Sequence, residues 1–471
     1  MLQRSAVFRR PVAEVFYLQM LETGTDSDRT AALNTLKSRN LVEEKDILAG
    51  QLLIQQHNLI RDSAYAQLKT DLPTWESAER TAAHLWVTAY TPAPNAERIE
   101  TVRGYLEAFD HYCEVEDWDA AKAIARTRLD TPTKEYLCWQ LGTWGYYREQ
   151  IPLHSKLLDI ARTQNDRQGE GTALGNLGSA YRSQGQYEQA IARHQQHLTI
   201  AREIGDRQGE GNSLGSLGIV YKSQGQYEQA IAHHQQHLTI AREIGNRQCE
   251  GNALGNLGLA YKSQGQYEQA IAHYQERLTI AREIGDRLGE GSALGNLGNA
   301  YRSQGQYEQA IAHHQQSLSI KREIGNRHGE GNSLGNLGNA YYSQGEYERA
   351  IAHHQQHLTI AREIGDRRGE GAALGNWGAT QIKLEQYPDA LENTNAALAI
   401  FREIGDRANE AETLKNLAEL HQKLGEAEVA RGYCEQALAL ATELGIPLVE
   451  ECQQLWEALE KDVTKHKGAK D

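Results

Sequence analysis

Little in this chain suits catalysis, nucleotide binding or a membrane. No apolar run approaches the ~20 residues that a spanning helix needs. The start, MLQRSAVFRR, is positively charged but has no apolar stretch behind it, so it does not read as a secretory signal. The five cysteines (Cys113, Cys138, Cys249, Cys434, Cys452) are odd in number, scattered and never paired as CxxC. That pattern offers no disulfide framework and fits a reduced, cytoplasmic setting. No GxxxxGK[ST] phosphate loop occurs, and the glycines recur with a long period instead of clustering around phosphate-binding residues. Basic residues are in deficit, with 49 Lys and Arg against 63 Asp and Glu, a net charge of −14. That balance argues against a general binder of nucleic acid or anionic membranes. Phenylalanine is scarce, only four, so Leu, Ile, Ala and Tyr must build the core.

What the chain has in abundance is itself. Residues 169–208 read GEGTALGNLGSAYRSQGQYEQAIARHQQHLTIAREIGDRQ, and nearly the same words restart at Gly209, Gly289, Gly329 and Gly369, and at Cys249 with cysteine in place of the opening glycine. Tyr181, Tyr221, Tyr261, Tyr301 and Tyr341 mark the 40-residue period, as do Tyr187 and its equivalents through Tyr387. A fixed period in this range signals stacked supersecondary units. Within one unit, Leu174, Leu177, Gly178 and Tyr181 fall at i, i+3, i+4 and i+7, one face of a helix. Gly185 punctuates, and Tyr187, Ala190, Ile191, His194, Leu198 and Ala201 trace a second helix that ends at Gly205. The first helix carries Gly171, Gly175 and Gly178, and each interior glycine costs roughly 1 kcal/mol against alanine. Neighbouring units must therefore supply the stability.

The order Leu174, Leu177, Gly178, Tyr181, Gly185, Tyr187, Ala190 resembles the tetratricopeptide repeat. The longer period and the words LGNLGNAY and AREIGDR are similar to the Pins/LGN group of signalling adaptors. The resemblance implies an all-α, right-handed α-solenoid of helix hairpins whose first helices line a concave groove. Six regular repeats span residues 169–408, with degenerate helical repeats and a linker helix over 73–168. A worn last repeat, a covering helix after Pro447 and a disordered KHKGAK tail fill 409–471. Residues 1–72 belong to no repeat. A helix is expected from Val12, Val15, Phe16 and Gln19 after Pro11, and a second capped by Asp28 through Leu36. Short strands follow at 40–43 and 52–57, with 58–65 after them. The words LxxRNLVEE…LLIQQHNLIRDSAYAQL resemble the winged-helix segment of STAND-type signalling ATPases; an irregular helical cap is the other reading. Between 91 and 95, TPAPN breaks the chain and caps the helix that follows.

The copies serve as an internal alignment. Leu, Leu, Gly and Tyr at 174, 177, 178 and 181 scarcely vary, whereas the positions of 172, 179 and 182 do. These lie at i, i+7 and i+10 on the first helix, and the resemblance points them into the groove. The expected peptide-binding residues are Asn212 and Asn252; Asn299 and Asn339; the basic row Arg182, Lys222, Lys262 and Arg302, continued by Tyr342; and the amide row Asn176, Asn256, Asn296, Asn336 and Asn376, broken by Ser216. An amide both donates and accepts, so a row of amides can hold the backbone of an extended peptide whatever its sequence. The basic row adds a preference for acidic residues in the partner.

Two histidine clusters tempt a metal reading, His233, His234 and His237 and then His353, His354 and His357. However, Tyr274 replaces the middle histidine in one copy, and Arg277, Ser317 and Ala397 replace the last one in others, so packing explains them. Glu170 and its equivalents sit where a carboxylate favours a helix start. The expected function is a non-enzymatic protein-interaction scaffold, without cofactor or metal, that binds an extended or helical protein segment and neither nucleic acid nor membrane. The alternative is the sensor module of a STAND-type ATPase system.

Overall fold

A computed structural model describes residues 1–20, 24–48, 51–93, 96–131 and 134–468. The chain forms two compact units: residues 1–129 with 135–140, and residues 130–134 with 141–471.

The first unit mixes strands and helices. After a short 3-10 turn (Arg4–Val7) come β1 (Val12–Ala13), α1 (Glu14–Gln19), α2 (Asp26–Ser38), β2 (Val42–Leu48), β3 (Gln51–Gln56), α3 (Asn58–Leu68), α4 (Leu72–Thr88), α5 (Arg98–Glu114) and α6 (Trp118–Ala125). The three strands are antiparallel in the order β1-β3-β2, with a register shift between Glu44 and Ile47. Several local expectations change. The first helix starts at Glu14, not behind Pro11, because Val12 and Ala13 pair with Ile54 and Leu53. Asp28 is not the cap of α2: Thr25 is, and Asp28 returns the bond to the Thr25 backbone, completing a capping box. Residues 58–65 are helical. Pro94 and Asn95 lie outside the described residues; α5 follows Glu97, which makes no side-chain cap. Phe16, Tyr17, Leu33, Ile54, Leu68, Trp86 and Ala108 form the core.

The second unit is a row of helix pairs. After α7 (Leu137–Thr143) and α8 (Tyr147–Thr163) come α9 (Arg167–Ser183) with α10 (Tyr187–Glu203), α11 (Arg207–Ser223) with α12 (Tyr227–Glu243), α13 (Arg247–Ser263) with α14 (Tyr267–Glu283), and α15 (Arg287–Ser303) with α16 (Tyr307–Glu323). Then follow α17 (Arg327–Gln344) with α18 (Tyr347–Ile364), α19 (Arg367–Lys383) with α20 (Tyr387–Ile404), α21 (Arg407–Lys423) with α22 (Ala427–Leu444), and α23 (Leu448–Gly468). The helix runs on through 465–468, where the sequence suggested a disordered tail; residues 469–471 lie outside the described set.

The repeated words explain the repeated geometry. Asp206, Asp286 and Asp366 cap the first helices by accepting from the backbone N–H three residues on, and Asn246 and Asn326 do the same. The turn inside each pair closes on a glycine with positive φ, +74° at Gly185 and +76° at Gly225; Glu385 replaces it in one pair at +58°. Gly218, Gly298 and Gly338 are required by packing, because a Cβ there would come within about 2.6 Å of the imidazole of His234, His314 or His354. The landmark tyrosines stack on histidines of the second helices, Tyr221 on His233 and Tyr341 on His353, with centroids 5.2 and 5.3 Å apart. Glu210 does more than favour a helix start. It is nearly buried and accepts from Arg202 and Arg207, each from a different side of the turn between pairs, while Arg207 also reaches Glu243. The same four-residue network recurs at Glu250, Glu290, Glu330 and Glu370. Burial would raise the Glu210 carboxyl, but the two guanidinium hydrogen bonds outweigh it and hold it below the usual carboxylate range.

The row also returns on itself. Gly145 lies against Ile404, Gly185 against Leu444 and Gly225 against Pro447. Leu444 shares an apolar cluster with Tyr187, Ala190 and Val220, and the Arg368 guanidinium donates to the Ser183 carbonyl at 3.4 Å. Nothing in the repeated words signals this seam.

Candidate functional site

The variable positions of the first helices gather along one face. Thr172, Gly175, Asn176 and Ser179 of α9, with Asn212 and Ser216 of α11, His197 and Asp206, line an open cleft of about 500 Å³. Asn212 and Asn252 are exposed; Asn176, Asn256, Asn296, Asn336 and Asn376 are half-buried, as are Asn299 and Asn339. Among the described residues, none of these nine side-chain amides has a hydrogen-bond partner within the protein. They are not tied to neighbouring helices, the purely structural role an asparagine row could have served.

The basic row behaves in the same way. Arg182, Lys222, Lys262 and Arg302 are half-buried, and among the described residues none has a carboxylate within ion-pair distance; Arg302 donates only to Ser343 Oγ at 3.3 Å. Burial lowers the pKa of all four, and their own fields add to it: Arg182 acts on Lys222, and Lys222 and Arg302 act on Lys262. This contrasts with the turns between pairs, where arginine after arginine is matched to glutamate. The row is not uniform. Arg182 lies at the seam, in a second cleft of about 260 Å³ with Thr143, Tyr147, His328, Asp366 and Arg368, and the Arg368 charge lowers its pKa further. Tyr342 ends the row. Its ring packs 5.7 Å from that of Tyr347, and burial pushes its phenol up.

One further cation, Lys321, is not among the residues expected from the sequence. Lys321 is only 5% exposed and donates to the Leu288 carbonyl and Ser292 Oγ, both at 3.0 Å. Burial, aided by the Arg277 charge, pushes its ammonium down to about 8. A signal existed: Lys321 stands where four other copies have Ala201, Ala241, Ala281 and Ala361 and the last has Phe401. Lys321 lies on a second helix, α16, whereas the expected site residues all lie on first helices.

The histidines pack. His234, His314 and His354 are at most 1% exposed, and their Nδ1 atoms have no partner among the described residues. No group of three or more His, Cys, Asp or Glu among the described residues is placed to hold a metal. No helix among the described residues is long and apolar enough to cross a membrane.

Tetratricopeptide-repeat family models match residues 173–208, 209–283, 289–363 and 370–443, together more than half of the chain. The chain belongs to the tetratricopeptide-repeat family. No curated protein matches it. Among solved structures, the Rap conjugation gene regulator of plasmid pLS20 in complex with the Phr* peptide aligns at TM-score 0.52 with 14% identity, over 73% of this chain and 96% of the other. A Rap protein complexed with competence and sporulation factor aligns at 0.50 with 16% identity, over 73% and 99%. A STAND protein with a tetratricopeptide repeat sensor from Pyrococcus horikoshii aligns at 0.43 with 16% identity; 98% of this chain is covered, but the match spans 65% of that protein. At these identities the likeness is one of fold. The tetratricopeptide signature accounts for the fixed residues of each pair and leaves the variable face unexplained.

Proposed function

We propose that the tetratricopeptide array is a non-catalytic scaffold that captures an acidic, extended or helical segment of a partner protein on the variable face of its first helices. One observation supports this reading: among the described residues the nine amides have no hydrogen-bond partner within the protein, and the four cations have no carboxylate within ion-pair distance. Unpaired amides suit the backbone of a bound segment. Unpaired cations in an acidic protein suit carboxylates, and charge-assisted bonds are the stronger kind. The fold is shared with a regulator whose structure holds the Phr* peptide, which is a precedent for segment capture on such an array. An adaptor role of the Pins/LGN type belongs to the same reading.

The test is fluorescence anisotropy with labelled acidic, neutral and basic peptides. Acidic peptides should bind best, with affinity falling as salt rises. Lys222→Ala/Lys262→Ala/Arg302→Ala should weaken that binding by about tenfold or more, since each charged hydrogen bond is worth roughly 1.5–3 kcal/mol. Asn256→Ala/Asn296→Ala/Asn336→Ala should weaken acidic and neutral peptides alike. Equal binding of all three peptide classes by the wild type would end the acidic-segment reading.

The first unit favours a second reading. Two helices lie between the first and second strands of a β1-β3-β2 sheet, an order that supports the resemblance of residues 1–72 to the winged-helix segment of STAND-type ATPases. In that reading the array is a sensor, and residues 1–72 dock on an ATPase chain. Co-purification with an ATPase, lost when residues 1–72 are removed, would favour it over the free scaffold.

A further inference from the structure

The seam within the second unit follows the repeat period. Gly145, Gly185 and Gly225 are 40 residues apart, each in the turn inside a helix pair; Ile404 and Leu444, at the ends of α20 and α22, cover the first two, and Pro447, between α22 and α23, covers the third. A Cβ at Gly145 would lie 2.6 Å from Ile404 Cγ2, one at Gly185 2.9 Å from Leu444 Cδ2, and one at Gly225 2.8 Å from Pro447 Cγ. The array thus has two kinds of edge. One is made of turns inside pairs and the other of turns between pairs, and the seam is one kind packed on the other.

Each kind also has an unused stretch. Every copy of REIG places an isoleucine at the end of a second helix. Ile364 and Ile404 are 3% and 5% exposed, whereas Ile204, Ile244, Ile284 and Ile324 are 37–41% exposed. The words are the same, and for Ile404 the cover comes from Gly145, far away in the array. On the opposite edge, a Cβ at Gly265, Gly305, Gly345 or Gly425 would meet nothing within 4 Å, in contrast to Gly185 and Gly225. One molecule therefore carries an open isoleucine edge and an open glycine-turn edge, the latter interrupted at Glu385, with the 40-residue spacing of the Gly145–Ile404 and Gly185–Leu444 contacts.

We propose that a second copy of this chain fills them: the turns at Gly265, Gly305, Gly345 and Gly425 of one copy dock on Ile204, Ile244, Ile284 and Ile324 of the next. The intermolecular contact continues the intrachain seam. The charges flanking the isoleucines do not oppose it, because Arg207 and Arg247 are already paired to Glu243 and Glu283 and no isolated charge has to be desolvated. The two surfaces differ, so the contact is heterologous and each added copy leaves one edge of each kind free. Such association is open-ended and head-to-tail, not a closed two-fold dimer.

The test is sedimentation velocity of the full chain, together with cross-linking from a photoreactive residue at position 284. Weight-average mass should rise at least about twofold as concentration is raised about a hundredfold, as mass action requires. Ile244→Asp/Ile284→Asp should abolish the rise. In a mixture of isotopically light and heavy copies, cross-links from 284 should run between copies and land at the turns 263–266, 303–306, 343–346 or 423–426. The cross-link arm needs no charged substitution, so misfolding of the double variant would not rescue the idea. A single-protomer mass at every concentration, association unaffected by the aspartates in a folded variant, or links running from 284 to 284 would each overturn it. Capture of some other protein on this edge would not count in its favour.

Discussion

Acidifying the protein from about pH 7 to about pH 5.5 is expected to lower its thermal unfolding midpoint by about 10 °C or more, well before its carboxylates titrate. The cause is a set of buried neutral imidazoles. Burial is the main term at each. It pushes His154 and His194 down to about 4, and His234, His314 and His354 to about 3, with neighbouring cations such as Lys222 and Arg302 adding to the last group. In the unfolded chain these side chains take up protons near pH 6.5, so between that value and their folded pKa the unfolded state binds more protons. The stability they confer is complete above about pH 6.5 and is lost as pH falls toward their folded values. By about pH 5.5 each imidazole favours unfolding by about 1 kcal/mol, and five of them act together. The glutamates of the inter-pair networks open a second, lower window. Their folded pKa is depressed, so their contribution is intact above the ordinary carboxylate range and fades only as pH falls below it. Tyr274, fully buried where four other copies have histidine, shows how to separate the two. His234→Tyr/His314→Tyr/His354→Tyr should flatten the upper window and leave the lower one. Calorimetry across pH 4–8 reads both; equal losses between about pH 6.5 and 5 in wild type and triple variant would refute the account.

Opening the seam is the second large effect. Ile404→Asp/Leu444→Asp is expected to free the early pairs of the array from the late ones. Burying an isoleucine or leucine stabilises by about 1.5–3 kcal/mol, and an unpaired buried carboxylate costs more, so the substitutions should outweigh a contact built from a handful of side chains. The radius of gyration by solution scattering should rise, and protease sites near 183–187 and 442–447 should open. Far-ultraviolet circular dichroism should change little, because each helix pair keeps its neighbours. Ile244→Asp/Ile284→Asp, made in the same words, provides the control: measured at a concentration low enough to keep the protein monomeric, it should leave the radius unchanged. A seam variant as compact as wild type would show that these contacts do not hold the array closed.

The histidines, the landmark tyrosines and the helix-pair rhythm were readable because each residue's role is met by its own pair or the next one. Gly178 recurs because an imidazole from the partner helix fills the space its Cβ would need, and that requirement travels with the words. The first unit was read less well. Val12 and Ala13 look helical after Pro11, and only their pairing with Ile54 and Leu53, some forty residues away, makes them a strand. Within the candidate site, the basic row stands at positions that vary among near-identical copies (Arg182, Lys222, Tyr342), and such variation marks side chains that packing between pairs leaves free. Lys321 could have been found by the same comparison extended to second helices.

The chain's own words determined the helix pairs, their caps, their turns and the contacts between neighbours, because in a stacked array every such contact is local and repeats with the period. Tertiary structure alone decided which copies of the same residue are covered and which are open. Ile244 and Ile404 follow the same Arg-Glu, yet one faces solvent and the other lies on Gly145. The reason is accumulated geometry: each pair turns by a small angle on the last, and only the sum over many pairs, which no single repeat encodes, brings the late repeats back onto the early ones.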